Sequence, residues 1–245
     1  NTIAYILNHS DAKVLVVDRQ LHVEVKKALK TLDKKITIID INDKYADQSK
    51  CEKIGENEYE NFLNTGDENY NWLMPDDEWQ SISLSYTSGT TGNPKGVLYT
   101  HRSTVLHAYG INLKDAIPYG AKDVVMPVVP MFHVNAWGTP YAAAMCGTKF
   151  VFPGAKLDGE SLTDLMNQEK VTISLGVPTV WLLLLNHLRD SGKKLDTVQR
   201  LIIGGSACPR TLFEGFGEEY NVDVIHAWGM TEMSPIGTAN MPLYN

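Results

Sequence analysis

The chain has 245 residues, of which 43% are hydrophobic, and a formal net charge of −7. This length and composition allow a substantial buried core, and the negative charge argues against nucleic acid or an anionic membrane as a partner attracted by bulk electrostatics. No apolar run approaches the ~18 residues of a transmembrane helix, and the three scattered cysteines favour reduced thiols, and hence a cytoplasmic protein, over a cysteine metal site.

Short β-rich apolar runs alternate with helical patterns along the chain, which is typical of βαβ units and a mainly parallel sheet. The chain opens in a helical pattern, and an amphipathic helix over residues 21–32 separates strands over 14–18 and 36–39. Residues 42–78 are mostly polar. This composition predicts an irregular segment on the surface, with a short helix near 59–63.

The rest of the chain continues the alternation. Strands are predicted over residues 82–86, 124–129, 149–152, 171–175, 201–203 and 222–226, and helices over 101–114, 136–145, 161–168, 178–188 and 209–220. Ser161 and Asp164 have the spacing of a capping box at the start of the third of these helices. We therefore expect an α/β fold with mainly parallel sheets flanked by helices.

Four candidate site segments each follow a predicted strand. They span residues 86–96, 130–137, 204–208 and 227–232. In open parallel sheets, ligands bind at the carboxyl ends of the strands. We therefore expect these four segments to converge on one edge of one sheet.

The segment 86–96 reads Tyr-Thr-Ser-Gly-Thr-Thr-Gly-Asn-Pro-Lys-Gly. Glycines let backbone N–H groups approach an anion closely, while hydroxyl and ammonium groups add donors and positive charge. The segment differs from the commonest phosphate loop, because Pro94 stands at its second glycine and Gly96 at its magnesium-binding Ser or Thr. A glycine-rich surface loop is the alternative. The composition predicts a cradle for the polyphosphate of a nucleoside triphosphate.

Residues 87–96 resemble the signature loop S/T-S-G-S/T-T-G-x-P-K-G of the acyl-adenylate-forming (AMP-binding) superfamily, which includes acyl-CoA synthetases, peptide-synthetase adenylation domains and luciferases. Three later segments resemble its other motifs in the expected order: Pro-Met-Phe-His-Val-Asn-Ala-Trp at 130–137, Gly-Gly-Ser-Ala at 204–207 and His-Ala-Trp-Gly-Met-Thr-Glu at 226–232. The sequences His-Val-Asn-Ala-Trp and Trp-Gly-Met-Thr-Glu within them are most similar to the corresponding motifs of medium- and long-chain fatty acyl-CoA ligases. The resemblance implies that residues 1–245 are an internal part of the large AMP-binding domain, without its N-terminal start and without the small C-terminal domain.

The resemblance implies ATP, Mg²⁺ and coenzyme A as cofactors and co-substrates, and it assigns site residues by position. The implied ATP-binding residues are Thr87, Ser88, Gly89, Thr90, Thr91, Gly92, Lys95, Gly205, Ser206, Ala207, His226, Ala227, Trp228, Gly229, Met230 and Thr231. The implied catalytic residues are Lys95, His133, Thr231 and Glu232. The acyl pocket is assigned to His133 and Trp137, and the metal site to Thr87 and Glu232.

The residue types fit this chemistry. An ammonium such as that of Lys95 can hold departing pyrophosphate, and a carboxylate such as that of Glu232 suits magnesium, a hard cation that prefers oxygen ligands. His133 and Trp137 lie four apart and share a face if that segment is helical. Each residue also has a structural alternative, namely a solvated lysine, a helix cap, or a histidine and a tryptophan packed in a core.

The resulting prediction is an acid–thiol ligase that converts a medium- or long-chain fatty acid into acyl-AMP and transfers the acyl group to coenzyme A. The alternatives are an adenylate-forming ligase for a short thioether acid or an aryl acid, and a nucleotide-binding fragment without turnover. For the isolated 245-residue chain we expect no ligase activity. A serine hydrolase is disfavoured, because Cys208 replaces the closing glycine of a nucleophile elbow. The expected partners are the carboxylic acid, ATP and coenzyme A, with a homodimer left open.

Overall fold

The computed structural model describes residues 2–44, 46–47, 49–88 and 92–240. The chain divides into two compact units, of which the first comprises Asn1–Asp77 and Leu84–Leu98 and the second comprises Glu78–Ser83 and Tyr99–Asn245. Within the described ranges, no helix is long and apolar enough to cross a membrane.

The first unit is built around a three-stranded parallel sheet. Its elements are α1 (Thr2–His9), β1 (Val14–Asp18), α2 (His22–Leu29), β2 (Thr37–Ile41), β3 (Asn57–Glu58) and α3 (Tyr59–Leu63), and the strand order is β1-β2-β3. The predicted first strand and the short helix at 59–63 are confirmed. α2 is shorter than predicted, because a 3-10 turn, Arg19–Leu21, precedes it and Oγ1 of Thr31 donates to the Ala28 carbonyl at its end.

A buried carboxylate anchors the polar stretch that follows β2. Asp40 is fully buried and accepts hydrogen bonds from the backbone N–H groups of Ile54 and Gly55, both at 3.0 Å, and from Nε of Arg19 at 3.3 Å. A buried charge is tolerated when it is paired and its oxygens are hydrogen-bonded. These bonds tie the polar stretch back to the sheet.

The predicted phosphate loop connects the two strands of a separate sheet. β4 (Ser81–Tyr86) and β5 (Gly96–Thr100) form a two-stranded sheet, and the backbone N–H of Thr87 donates to the carbonyl of Lys95 at 3.0 Å. The prediction that this loop follows a strand is confirmed. The prediction that its strand shares a sheet with the other three segments is wrong, because β4 pairs with β5, a strand that the sequence analysis missed.

The second unit contains a six-stranded sheet. Its elements are α4 (His101–Ile111), β6 (Val124–Pro127), α5 (Val134–Trp137), α6 (Thr139–Cys146), β7 (Lys149–Phe150), α7 (Gly159–Glu169), β8 (Ile173–Gly176), α8 (Pro178–Ser191), β9 (Arg200–Ile203), α9 (Arg210–Glu214), β10 (Asp223–Gly229) and β11 (Ile236–Ala239). The strand order is β11-β10-β9-β8-β6-β7, and all pairs are parallel except β10 with β11. The predicted α/β class with mainly parallel sheets is confirmed.

Apolar side chains fill a core on each face of this sheet. In β9, Leu201 and Ile203 belong to the same buried cluster as Leu184 of α8, whereas Ile202 belongs to a second cluster with Ala108 of α4. Successive strand residues point to opposite faces, so a strand that is covered on both faces reads as a continuous apolar run. This double burial is the reason why the strands could be recognised in the sequence.

Two helix starts show how local signals decide a boundary. α7 begins at Gly159, because the side chain of Asp158 accepts the backbone N–H of Ser161 at 2.9 Å and acts as the N-cap. The predicted capping box that used Ser161 as the N-cap is therefore wrong. α8 begins at Pro178, as predicted, where a proline lacks only an N–H that would have no partner within the helix.

Candidate active site

A cleft opens at the carboxyl ends of β6, β9 and β10, where three of the four predicted segments lie. It is lined by His133, Val134, Trp137, Gly204, Gly205, Ala227, Trp228, Gly229, Met230, Thr231, Pro235 and Ile236. The structure thus brings together the predicted residues His133, Trp137, Gly205 and those at 227–231. Because ligands bind at this edge of open parallel sheets, the cleft is the candidate active site of the second unit.

α5, which borders the cleft, is a left-handed helical turn. Its four residues have φ angles of 44°, 54°, 47° and 57°, and Gly138 after it has a φ of 76°. A left-handed conformation costs roughly 1–2 kcal/mol for each residue other than glycine. The predicted helix over 136–145 therefore begins only at Thr139. His133 and Trp137 reach the cleft through this left-handed turn and not as one face of a right-handed helix.

The segment 204–208 forms a loop after β9, called the glycine loop below. The indole of Trp137 lies directly against Gly204 in this loop. A Cβ atom on Gly204 would lie 3.0 Å from Cη2 of Trp137 and 2.8 Å from the carbonyl oxygen of Ala227. Only glycine allows so close an approach of ring and backbone. Trp137 is 6% exposed, so its ring forms a packed wall of the cleft.

The two histidines of the predicted site differ in their surroundings. His133 is exposed at the start of α5, whereas Nε2 of His226 lies 3.3 Å from the carbonyl oxygen of Ser206. With its proton on Nε2, His226 donates to that carbonyl and joins the glycine loop to β10. Ser206 and Ala207 are exposed and continue this loop from Gly205, which lines the cleft.

A buried tyrosine holds the turn at Thr231. Oη of Tyr99 donates to the carbonyl of Thr231 at 2.5 Å, and Tyr99 is 3% exposed. Burial, followed by the negative charge of Glu232, raises the pKa of Tyr99 to about 12, so the hydroxyl keeps its proton at neutral pH. Tyr99 was not predicted as a site residue, because its partner lies 132 residues further along the chain.

Tyr99→Phe is expected to lower the free energy of unfolding by about 1–2 kcal/mol, because the Thr231 carbonyl loses its donor. Urea denaturation of the protein at its full natural length measures the change. Tyr109→Phe is the matched control, since Tyr109 is 60% exposed, and its effect should stay within about 0.5 kcal/mol. Equal effects of the two substitutions would show that the Tyr99 hydrogen bond does not contribute to stability.

The carboxylate of Glu232 is exposed in the 3-10 turn Thr231–Met233. It forms no hydrogen bond or ion pair with any residue that the structure describes. Within the same residues, no group of three His, Cys, Asp or Glu side chains could hold a metal. Magnesium is usually bound through one or two carboxylates together with substrate phosphates, and an exposed, unpaired Glu232 fits that arrangement.

The described residues of the predicted phosphate loop are Thr87, Ser88, Gly92 and Lys95, while the predicted residues Gly89, Thr90 and Thr91 lie outside the described part of the chain. Gly92 has a φ of 94°, which glycine adopts readily and other residues rarely do. The Lys95 side chain is exposed and pairs with no acidic residue in the ranges that the structure describes. The positive charge of Lys95 is therefore available to an anionic ligand that binds to the first unit.

His107 of α4 contacts the elements around the cleft, although it was not among the predicted site residues. Its Nε2 accepts the backbone N–H of Ile236 at 3.0 Å, and a Cβ atom on Gly138 would lie 2.9 Å from its ring. Burial lowers the pKa of His107 to about 4. Its spacing, three residues after Thr104 and four before Ile111, could have identified it in the sequence, because residues at this spacing share one face of a helix.

A second cavity lies beyond Ile236. It is lined by His107, Gly110, Ile111, Ala116, Ile117, Ile236, Gly237, Thr238 and Ala239. Ile236 lines both this cavity and the cleft. A mostly apolar space therefore adjoins the cleft on the side of β11.

His107 is expected to make the protein less stable in acid. Its pKa of about 4 in the folded protein lies below the ordinary 6.5, so the unfolded chain takes up a proton first as the pH falls. The stabilisation is complete above pH 6.5 and is lost between pH 6.5 and 4, by at most about 3 kcal/mol. His107→Gln, which keeps an acceptor for the Ile236 N–H, should flatten this part of a pH profile of urea denaturation. An equally steep profile would assign the acid sensitivity to other groups.

Several known proteins similar to this chain are named as acid–CoA ligases. The chain is 50% identical to a 3-methylmercaptopropionyl-CoA ligase of Ruegeria pomeroyi (98% of this chain, 44% of the relative) and 48% identical to a medium-chain-fatty-acid–CoA ligase of Ectopseudomonas oleovorans (98% and 44%). It is 44% identical to a long-chain-fatty-acid–CoA ligase of Thermus thermophilus (97% and 42%). The chain thus spans less than half the length of these relatives.

Solved structures also have a fold similar to that of this chain. A long-chain-fatty-acid-CoA ligase from Archaeoglobus fulgidus superposes with a TM-score of 0.81 at 24% identity, over 98% of this chain and 47% of that one. At this identity the likeness concerns the fold alone. The family model described as AMP-binding enzyme matches residues 1–245. The chain therefore belongs to the AMP-binding enzyme family.

Proposed function

We propose that the protein at its full natural length is an acid–thiol ligase, which activates a carboxylic acid as acyl-AMP and transfers the acyl group to coenzyme A. The observation that carries the proposal is the cleft in which the predicted acyl segment, the glycine loop and the Trp-Gly-Met-Thr-Glu motif meet. Membership of the AMP-binding enzyme family supports it, as do the names of the relatives.

The proposed reaction has two steps. In the first, a carboxylate oxygen of the acid attacks the α-phosphorus of ATP, an O–P bond forms, and the bond to the β-phosphate breaks to release pyrophosphate. In the second, the thiolate of coenzyme A attacks the acyl carbon and AMP leaves with the electron pair. The first step brings two anions together, so donors and positive charge must stabilise the transition state.

The roles proposed for the first step follow from the surroundings of each residue. The exposed Lys95 ammonium holds the departing phosphates, as the phosphate-loop composition predicts. Thr231, at the cleft, contacts the α-phosphate. Glu232 and Thr87 supply oxygen ligands to Mg²⁺, which when bound neutralises phosphate charge. Thr87 and Glu232 belong to different units, so their pairing stays a prediction.

The nucleotide and acid are proposed to occupy neighbouring parts of the cleft. The adenine ring fits against the backbone of the glycine loop, Gly205 to Ala207, and beside Trp228, which is 52% exposed and so presents ring surface. The carboxylate of the acid lies near His133. Its tail passes Trp137 toward the mostly apolar second cavity beyond Ile236. His226 fixes the glycine loop through its bond to Ser206.

We propose an aliphatic acid with an apolar tail as the substrate class. Relatives named for a thioether acid and for medium-chain fatty acids are almost equally similar, at 50% and 48% identity, so both acids are candidates. The apolar lining of the second cavity suits either tail. The remaining expectations, a cytoplasmic location and an open possibility of a homodimer, stay predictions.

Acid-dependent exchange of labelled pyrophosphate into ATP tests the first step, and formation of the CoA thioester tests the second. We expect exchange and thioester formation with 3-methylmercaptopropionate or with the fatty acids octanoate and palmitate. We expect little of either reaction with benzoate, which represents the aryl acids. No exchange with any acid in the panel would contradict the proposal and favour a nucleotide-binding role without turnover. The isolated 245-residue chain is expected to show weak ATP binding and no turnover.

A further inference from the structure

Asn135 occupies the middle of the left-handed turn α5, and it does not line the cleft. Its φ and ψ are 54° and 51°, values that asparagine tolerates better than most residues. Val134 in front of it has a φ of 44°, and a β-branched residue in this region is a strong outlier. A run of left-handed residues persists only when the surrounding structure imposes it.

Three contacts hold the turn in this conformation. Nδ2 of Asn135 donates to Oη of Tyr141 in α6 at 3.2 Å, and the backbone N–H of Gly138 donates to the Asn135 carbonyl at 3.1 Å. At the end of the turn, the ring of Trp137 packs against Gly204, where an added Cβ would lie only 3.0 Å away. Asn135 makes the only side-chain hydrogen bond found for residues of the turn, all of which the structure describes.

We propose that Asn135 is a positioning residue, which with Tyr141 holds α5 left-handed so that His133 and Trp137 both face the cleft. The inference rests on the proposed function, because it assigns the consequence to binding of the acid. If the turn relaxed, the Trp137 ring would leave Gly204 and the wall of the acid pocket would move. The phosphate loop belongs to the other unit and shares no residue with the turn, and the residues proposed to hold the adenine ring lie outside the turn. The effect should therefore be larger for the acid, whose proposed site includes His133 and Trp137 themselves, than for ATP.

The test compares substitutions at Asn135 and Tyr141 in the protein at its full natural length. Asn135→Val removes the donor and disfavours a positive φ, so the KM for the acid should rise about tenfold or more. Asn135→Gly and Tyr141→Phe remove the hydrogen bond but allow the backbone conformation, and each should raise this KM about three- to fivefold. The KM for ATP should stay within about twofold in all three.

Asn221→Val is the matched control. Asn221 also has a positive φ, 54°, but it precedes the amino end of β10, whereas the cleft lies at the carboxyl end. The same substitution there should strain the backbone equally and leave the KM for the acid unchanged. The double variant Asn135→Gly with Tyr141→Phe should be no worse than Asn135→Gly alone, because both remove one bond.

Two results would overturn the inference: an unchanged KM for the acid in Asn135→Gly and Tyr141→Phe, or a parallel rise in the KM for acid and ATP. These milder variants decide the matter if Asn135→Val does not fold. Failure of the unmodified protein to activate any acid would instead count against the proposed function. Tryptophan quenching by the acid gives a binding readout that does not depend on turnover.

Discussion

Gly229→Ala is expected to remove most of the acid-dependent activity and to destabilise the second unit. A Cβ atom on Gly229 would overlap the carbonyl oxygen of Pro235 and lie 3.0 Å from Cα of Ile236. Both neighbours are backbone atoms, which cannot rotate away as a flexible side chain would. The backbone N–H of Met230 also donates to this Pro235 carbonyl at 2.9 Å. The added methyl group must therefore push β10 and the segment before β11 apart.

The displaced segment is part of the cleft, since Gly229, Met230, Pro235 and Ile236 all line it. We expect the free energy of unfolding to fall by about 2–4 kcal/mol, as overpacking against fixed neighbours does. We expect kcat/KM to fall by at least about a hundredfold, because a misplacement of about 1 Å is sufficient for such a loss. Urea denaturation and acid-dependent thioester formation measure the two effects.

Gly217→Ala is the control for the loss of a glycine as such. A Cβ atom on Gly217 would meet no atom within 4 Å, so stability should change by less than about 0.5 kcal/mol and activity should not change. Activity of Gly229→Ala close to that of the unmodified protein would show that the two segments can separate without harm. The strict need for glycine at this position would then be wrong.

The α/β class could be predicted from the sequence because its strands are buried on both sides. Ile202 and its two neighbours in β9 are all fully buried, and such runs stand out from the polar turns around them. β5 and β11 were missed for the opposite reason. β11 (Ile236–Ala239) has two exposed residues among four, and β5 includes Gly96 and an exposed Leu98, so neither presents a continuous apolar run.

The parts of the candidate site that consist of consecutive residues could be predicted from the sequence. The resemblance to family motifs indicated the glycine loop and the Trp-Gly-Met-Thr-Glu segment, and residues of both line the cleft. The contacts that shape the cleft join distant residues, such as His107 with Ile236, which are 129 apart. The left-handed turn was unpredictable for a related reason. The local preferences of Val134 and Trp137 oppose it, whereas packing against Gly204 and the bond to Tyr141, both made with residues outside the turn, favour it.

Glu232→Gln is expected to lower acid-dependent pyrophosphate–ATP exchange by about a hundredfold or more, because the neutral amide is a weaker ligand for a hard divalent cation than a carboxylate. The magnesium concentration that gives half of the maximal rate should rise in the same variant. Glu232→Asp, which keeps the charge on a shorter side chain, should retain part of the activity. Glu218→Gln, which removes another exposed carboxylate, should leave both rate and magnesium dependence unchanged.

Magnesium dependence separates ligation by Glu232 from an effect through the neighbouring turn. The charge of Glu232 helps to raise the pKa of Tyr99, whose hydroxyl holds the Thr231 carbonyl, so Glu232→Gln also changes the electrostatics of that turn. If this second effect caused the loss, Tyr99→Phe would lower the rate as much and the magnesium requirement would not move. If Glu232 binds the metal, Tyr99→Phe should lower the rate only modestly, and the requirement should rise in Glu232→Gln alone. A magnesium requirement that is the same in both variants would remove Glu232 from the proposed metal site.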